Sequence, residues 1–109
     1  METYWRYVFI GTRNEMEGGM PKYMIERDLP GAAELSAEEL QSISEKSNKV
    51  ISELGPDIRW LQSYVTDDKI YCVYVAPDTD LIEEHARCGG FPANRISKVR
   101  RMMDPSTAE

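Results

Sequence analysis

The chain contains few of the residues from which metal centres and disulfide frameworks are built. Its 109 residues include two cysteines, Cys72 and Cys88, and one histidine, His85. Two cysteines are too few for a disulfide framework or a four-cysteine zinc site, and we expect both thiols to be reduced. One histidine is too few for a nitrogen-rich metal site within a single chain.

Long apolar runs and an excess of positive charge are missing as well. No stretch approaches the ~20 apolar residues of a membrane span, and METYWRYVFIG lacks the charged start and long apolar middle of a signal peptide. A net charge of −6 argues against a nucleic-acid partner, and no phosphate-binding loop or nucleophile elbow occurs. We therefore expect a cytoplasmic protein without nucleic-acid or membrane partners, and a non-enzymatic role is favoured.

What is present suits one compact domain, with 41% hydrophobic residues. The first nineteen residues differ, because the strand-like YWRYVFI runs into the polar, glycine-ended GTRNEMEGG. Codons for Glu17 and Gly18 can form a purine-rich tract before Met20, as at a bacterial ribosome-binding site. We predict that residues 1–19 are a non-native or flexible extension and that residues 20–109 form a single domain; a genuine edge strand is the alternative.

The order of predicted elements gives the fold class. A strand over 22–28 precedes a helix over 37–54, which starts with the capping-box pair Ser36 and Glu39. IRWLQSYV and KIYCVYVA form a hairpin; a second helix then begins at Asp78 and stops at the Gly89–Gly90 pair, and NRISKVRRMM is a fourth strand. This βαββαβ order predicts an α+β, ferredoxin-like fold, with two helices on one face of a four-stranded antiparallel sheet.

Strand alternation predicts an apolar open face on this sheet. Under this assignment Val73 and Val75 lie beneath the helices, together with Leu61 and Val65. An open face that apolar is unusual for a monomer, so we predict a face-to-face homodimer, a dimeric α/β barrel, around a pocket. The residues predicted to line this pocket are Met24, Trp60, Gln62, Tyr64 and Tyr74, with Cys72 on the same face.

Four blocks taken together resemble a known family: MPKYMIERDLPGA, LSAEELQSISEKSN, SYVTDDKIYCVYVAPD and EHARCGGFPANRI. They are similar to small bacterial proteins, long catalogued as a domain of unknown function, that include nickel-binding members. The resemblance runs from about Met20 to Glu109. It implies a ferredoxin-like fold, usually dimeric, and in the nickel-binding branch a site of histidines and carboxylates.

Carried over residue by residue, this resemblance implies a reduced metal site. His85 matches a histidine of the second helix, whereas the first strand supplies acids such as Glu26 but no histidine. Gln62 stands where the second strand of the nickel-binding type has a histidine. The implied ligands for nickel or another divalent transition metal are therefore Glu26 and His85, with Cys72 or Cys88.

Simpler interpretations of these residues stay open. His85 continues the apolar stripe of its helix and suits a packed, neutral imidazole, and Glu26 suits an ion pair with Lys98 or Arg100. Three functions follow from the sequence. The first is a metal-binding protein, and the second is an enzyme in which Glu26 and His85 transfer protons to a small hydrophobic or aromatic molecule. The third is an assembly module without a ligand.

Overall fold

The computed structural model describes residues 16–17 and 19–109. Its strands are β1 (Met16–Glu17), β2 (Met20–Asp28), β3 (Arg59–Val65), β4 (Lys69–Val75) and β5 (Arg95–Lys98), and its helices are α1 (Ala37–Leu54) and α2 (Thr79–Gly89). Without the short β1, the order is β-α-β-β-α-β, and the ferredoxin-like α+β fold is confirmed. The predicted N-terminal extension lies mostly outside the described residues.

Local hydrogen bonds fix the ends of both helices. Ser36 Oγ accepts from the Glu39 amide at 3.0 Å while Glu39 Oε1 accepts from the Ser36 amide at 2.9 Å, so the predicted capping box is present. The Asp78 carboxylate accepts from the Leu81 amide at 3.0 Å and starts α2. These two caps explain why each helix begins next to its predicted capping residue.

The sheet has the strand order β5-β2-β4-β3, and every neighbouring pair is antiparallel. β2 is therefore central, with Ile25 opposite both Cys72 of β4 and Ile96 of β5. The last strand is shorter than predicted, ending at Lys98. This topology places both hairpin strands and β2 beside α1.

The predicted assignment of hairpin residues to the two faces is wrong for β4 and for Trp60, whereas Val65 lies under α1 and Tyr64 lies on the opposite face as predicted. Tyr74 and Cys72 belong to the buried core, and Tyr74 Oη lies 3.1 Å from Ser47 Oγ on α1. Alternation along β4 therefore puts Val73 and Val75 on the opposite face. A β-bulge between Trp60 and Gln62 also moves Trp60 onto the helix-covered face, where its ring stacks on Tyr74 at 6.4 Å.

The face opposite α1, which we call the open face although Val73 and Val75 on it are buried, has fewer aromatic residues than predicted. Met24 is 38% exposed and Tyr64 is 56% exposed, and Tyr64 Oη accepts from Gln62 Nε2 at 2.7 Å. Trp60 and Tyr74 do not contribute to it. Over the part of the chain that the structure describes, no helix is long and apolar enough to cross a membrane.

Candidate functional site

A cavity of about 450 Å³ lies between α1 and the helix-covered face of the sheet. This volume falls within the roughly 300–1,000 Å³ of typical small-molecule sites. Its walls come from α1, from β2, β3 and β4, and from the turn after α2. The lining residues are Arg27, Leu29, Leu40, Ile43, Ser44, Lys46, Ser47, Trp60, Ser63, Val65, Ile70, Cys72, Tyr74, Gly89, Gly90, Phe91 and Pro92. We call this cavity the α1 pocket.

Arg27 is the principal charged group in the wall of the α1 pocket. It follows Tyr23 and Ile25 on the buried side of β2, and it is only 5% exposed. Its Nη1 donates to the carbonyl of Pro92 at 2.7 Å, and its Nε donates to Cys72 Sγ at 3.3 Å. Its Nη2 is buried and has no hydrogen-bond partner within the described part of the chain.

A line of three polar side chains crosses the core beside this arginine. Ser47 Oγ lies 3.1 Å from Tyr74 Oη and 3.1 Å from His85 Nε2. The three groups come from α1, β4 and α2, so the line ties both helices to the sheet. Desolvation by burial, more than any other cause, raises the pKa of Tyr74, and the phenol therefore keeps its proton at neutral pH.

His85 is a neutral imidazole at physiological pH. The side chain is 1% exposed, and burial together with the charge of Arg27 lowers its pKa to about 4. Its ring packs against Tyr74 at 5.0 Å and Phe91 at 5.5 Å. This packing agrees with the simpler interpretation of His85, which did not anticipate the nearby guanidinium.

The turn that ends α2 forms the last wall of the pocket. Gly90 adopts a left-handed conformation with φ of 69°, and the Phe91 amide donates to the carbonyl of Ala86 at 2.9 Å. The Phe91 ring thereby folds back to lie 5.4 Å from the Arg27 guanidinium carbon. A Cβ on Gly89 would lie 2.3 Å from this ring, so only glycine fits there without displacing it.

The wall has a positive electrostatic bias. Lys46 stands over the outer side of the Phe91 ring at 5.8 Å, so the pocket has one buried and one exposed cation. Not one of the described residues that line it is acidic, although the whole chain has 19 acidic and 13 basic residues. Such a site attracts anions and repels cations.

Comparison with known proteins identifies the family. The family model described as "Nickel responsive protein SCO4226-like" matches residues 23–99. This chain belongs to the SCO4226-like family. The match confirms the resemblance seen in the four sequence blocks.

A solved relative has the same fold as this SCO4226-like protein. The crystal structure of SCO4226 from Streptomyces coelicolor A3(2) superposes with a TM-score of 0.59 at 15% identity, covering 77% of this chain and 95% of that chain. Identity this low supports the fold alone. No curated protein matches the chain.

The predicted metal ligands of this SCO4226-like protein lie in separate places. Among residues 19–109 no group of three or more histidine, cysteine, aspartate or glutamate side chains could hold a metal ion. Cys72 is buried next to Arg27, and His85 contacts Ser47. Cys88 is exposed on α2, with its Sγ 3.4 Å from Glu84 Oε2.

Glu26 faces away from the α1 pocket, because it alternates with Arg27 along β2. Its carboxylate pairs with Lys69 at 3.3 Å and with Arg95 at 3.9 Å. An ion pair is therefore present, but with partners other than the predicted Lys98 or Arg100. Glu26 and His85 lie on opposite faces of the sheet, so one chain does not bring them together for proton transfer.

The residues predicted to line one pocket lie on both faces of the sheet. Trp60 and Tyr74 line the α1 pocket, whereas Met24, Gln62 and Tyr64 lie on the open face. Sequence reasoning missed both Arg27 and Ser47 as parts of this site. The available signal was the two-residue spacing from Ile25, which places Arg27 on the buried side of β2.

Proposed function

We propose that this protein binds a small molecule with a hydrophobic or aromatic body in the α1 pocket. The observation that carries the proposal is the apolar-walled cavity of about 450 Å³ with a buried, incompletely bonded arginine in its wall. Binding sites of this kind combine an apolar lining with a few polar groups that orient the ligand. The apolar part of the lining includes Leu40 and Ile43 of α1 and Trp60 and Val65 of β3.

The test is a comparison of two tryptophan substitutions on α1. Ile43→Trp adds bulk at the pocket wall, and Gln41→Trp adds the same bulk at an exposed position of the same helix. A panel of small aromatic and branched aliphatic molecules is titrated into ¹⁵N-labelled protein. Binding should shift amides around the pocket in wild type and Gln41→Trp and should be lost in Ile43→Trp. Equal binding by both variants would refute the site.

Binding of a divalent transition metal is a second candidate function. The family description, nickel responsive, favours it, and Glu84 and Cys88 supply an exposed carboxylate and thiol 3.4 Å apart. The hydrogen bond to Glu84 is the main cause that raises the pKa of the Cys88 thiol, so metal would have to displace a proton. Two donors leave a tetrahedral or octahedral site incomplete, so solvent water would have to supply the remaining ligands.

Calorimetry and metal analysis with nickel ions on tag-free protein distinguish the Glu84–Cys88 pair from the predicted ligand His85. If Glu84 and Cys88 bind the metal, Cys88→Ser should abolish stoichiometric nickel while His85→Ala retains it. Loss of stoichiometric nickel in His85→Ala, with nickel retained in Cys88→Ser, would assign the metal to His85. Absence of stoichiometric nickel in the wild type would dismiss this second function and leave the pocket proposal unaffected.

We also propose that the protein forms a homodimer through its open sheet face. Met24 and Tyr64 are the exposed large apolar side chains on that face, and covering them would bury apolar area. Sedimentation at tens of micromolar should give a dimer for the wild type and a monomer for a Met24→Lys, Tyr64→Lys double variant. A wild type that sediments as a monomer would rule out this assembly.

A further inference from the structure

We propose that the ligand of the α1 pocket is an organic acid, and that Arg27 Nη2 donates to its carboxylate. This inference rests on the proposed binding function and names the class of ligand. It begins with the guanidinium, which is 5% exposed and makes no ion pair with any carboxylate among residues 19–109. A buried charge without a counterion is costly, and proteins keep such charges paired.

The free nitrogen of the guanidinium points to an anion with few acceptor oxygens. Nε donates to Cys72 Sγ, and one of the two Nη1 hydrogens goes to the Pro92 carbonyl. These two bonds hold the guanidinium in place and leave Nη2 without a partner among residues 19–109; because Nη2 lies just beneath the pocket wall, a ligand reaches it by displacing a lining side chain. A carboxylate needs few donors, whereas a phosphate with three or more charged oxygens would be left poorly bonded.

The charges and the hydroxyl group near Arg27 also favour a carboxylate ligand. His85 is neutral, so Arg27 is the one cation among the buried residues that line or adjoin the pocket. Lys46 adds positive charge at the rim, and among residues 19–109 no acidic side chain lines the wall to compete for Arg27. The Tyr74 hydroxyl in the same wall is a second donor that remains protonated.

The rest of the pocket lining determines which kind of organic acid fits. Arg27 lies between the Tyr74 ring at 5.9 Å and the Phe91 ring at 5.4 Å. Beyond these rings the lining is aliphatic and aromatic, from Ile43, Trp60 and their neighbours. The ligand is therefore an aromatic or branched aliphatic monocarboxylate, whose charged end lies at Arg27 and whose apolar end fills the space under α1.

The experiment uses acids matched with their neutral amides as probes. Phenylacetate, indole-3-acetate and 4-methylpentanoate are titrated alongside the corresponding amides, with inorganic phosphate as an anion that lacks an apolar body. Binding is measured by calorimetry and by amide shifts on full-length, tag-free protein. The variants are Arg27→Met, its surface match Arg95→Met on the opposite face of the sheet, and the pocket-filling Ile43→Trp.

We expect at least one acid to bind wild type and Arg95→Met at least tenfold more tightly than its amide. Arg27→Met should remove this preference and leave amide binding unchanged, while Ile43→Trp should remove both. Amide shifts also report whether Arg27→Met is folded; Arg27→Lys, which keeps the charge, should retain part of the preference.

Three results would overturn the inference, and they differ in what else they refute. Amides that bind wild type as tightly as the acids would refute the acid class and leave the pocket as a binding site. Failure of every acid and amide to bind would refute the pocket function as well. Phosphate binding that equals acid binding would refute the requirement for an apolar body.

Discussion

Acidification should destabilise the protein through its single histidine, in a defined pH window. The His85 pKa is about 4 in the folded protein, because burial and Arg27 disfavour the imidazolium, and about 6.5 in an unfolded chain. As pH falls below 6.5 the unfolded state takes up the proton first. The contribution of His85 is therefore complete above pH 6.5 and is lost as pH falls towards 4.

The expected size of this loss is about 3 kcal/mol in the free energy of unfolding between pH 7 and pH 4, at about 1.4 kcal/mol per pKa unit. Urea unfolding of wild type and His85→Gln at pH 7, 6, 5 and 4 measures it. Both proteins contain the same carboxylates, whose titration cancels in the difference. The difference in the free energy of unfolding between wild type and His85→Gln should fall by about 3 kcal/mol from pH 7 to pH 4.

A direct measurement on the folded wild type does not depend on the variant. Because the chain has one histidine, its imidazole resonances can be assigned without ambiguity, and their titration midpoint should lie near pH 4. A midpoint near 6.5 would show that the imidazole is solvated. Parallel stability curves for the two proteins would contradict the linkage argument even if both remain folded.

Three further substitutions test local features. Gly89→Ala should lower the free energy of unfolding by about 1–3 kcal/mol, because the new methyl group overlaps the neighbouring phenylalanine ring; an unchanged urea midpoint would show that the ring moves freely. Glu84→Gln should speed iodoacetamide labelling of Cys88, because the glutamate hydrogen bond is the largest cause that raises the thiol pKa; equal labelling rates would show that the contact is not populated. Ser36→Ala should cost about 1 kcal/mol through loss of the N-cap, and thermal unfolding that matches the wild type would contradict the capping role.

The helices could be predicted closely, because their ends depend on nearby residues. Ser36 and Asp78 cap amides three positions ahead of them, and Gly55 and Gly90 take positive φ values at the helix ends. These interactions operate within one turn of helix. The order of strands and helices then followed from the alternation of elements along the chain.

The faces of the hairpin could not be predicted, for two physical reasons. β4 is apolar at both sets of alternating positions, so its pattern is equally compatible with either orientation. The bulge after Trp60 breaks the alternation in β3, and Trp60 Nε1 then donates to Ser63 Oγ on the same face. Nothing in the local sequence marks a bulge there, since its cause is the pairing with β4.

The α1 pocket itself was not predicted. Tyr74 was assigned to a pocket on the open face but lines the α1 pocket, His85 was implied as a metal ligand but packs beside Ser47, and Arg27 was missed. A charged residue two positions from a core isoleucine suggests burial. That its charge has no acidic partner among residues 19–109 depends on what β4, α1 and the turn after α2 place around it, and only the assembled fold reveals this.

The hydroxyl between Tyr74 and His85 has a consequence for how occupancy of the pocket can be detected. Ser47 carries one hydrogen, so it donates either to the imidazole nitrogen or to the phenol oxygen, at 3.1 Å in each direction. If a ligand accepts a hydrogen bond from the Tyr74 hydroxyl, Ser47 must donate its own hydrogen to Tyr74 Oη. His85 Nε2 must then carry a hydrogen and donate it to Ser47 Oγ. Filling the cavity would thus select one imidazole tautomer, and nitrogen chemical shifts of this ring would report ligand binding without any contact between the ring and the ligand.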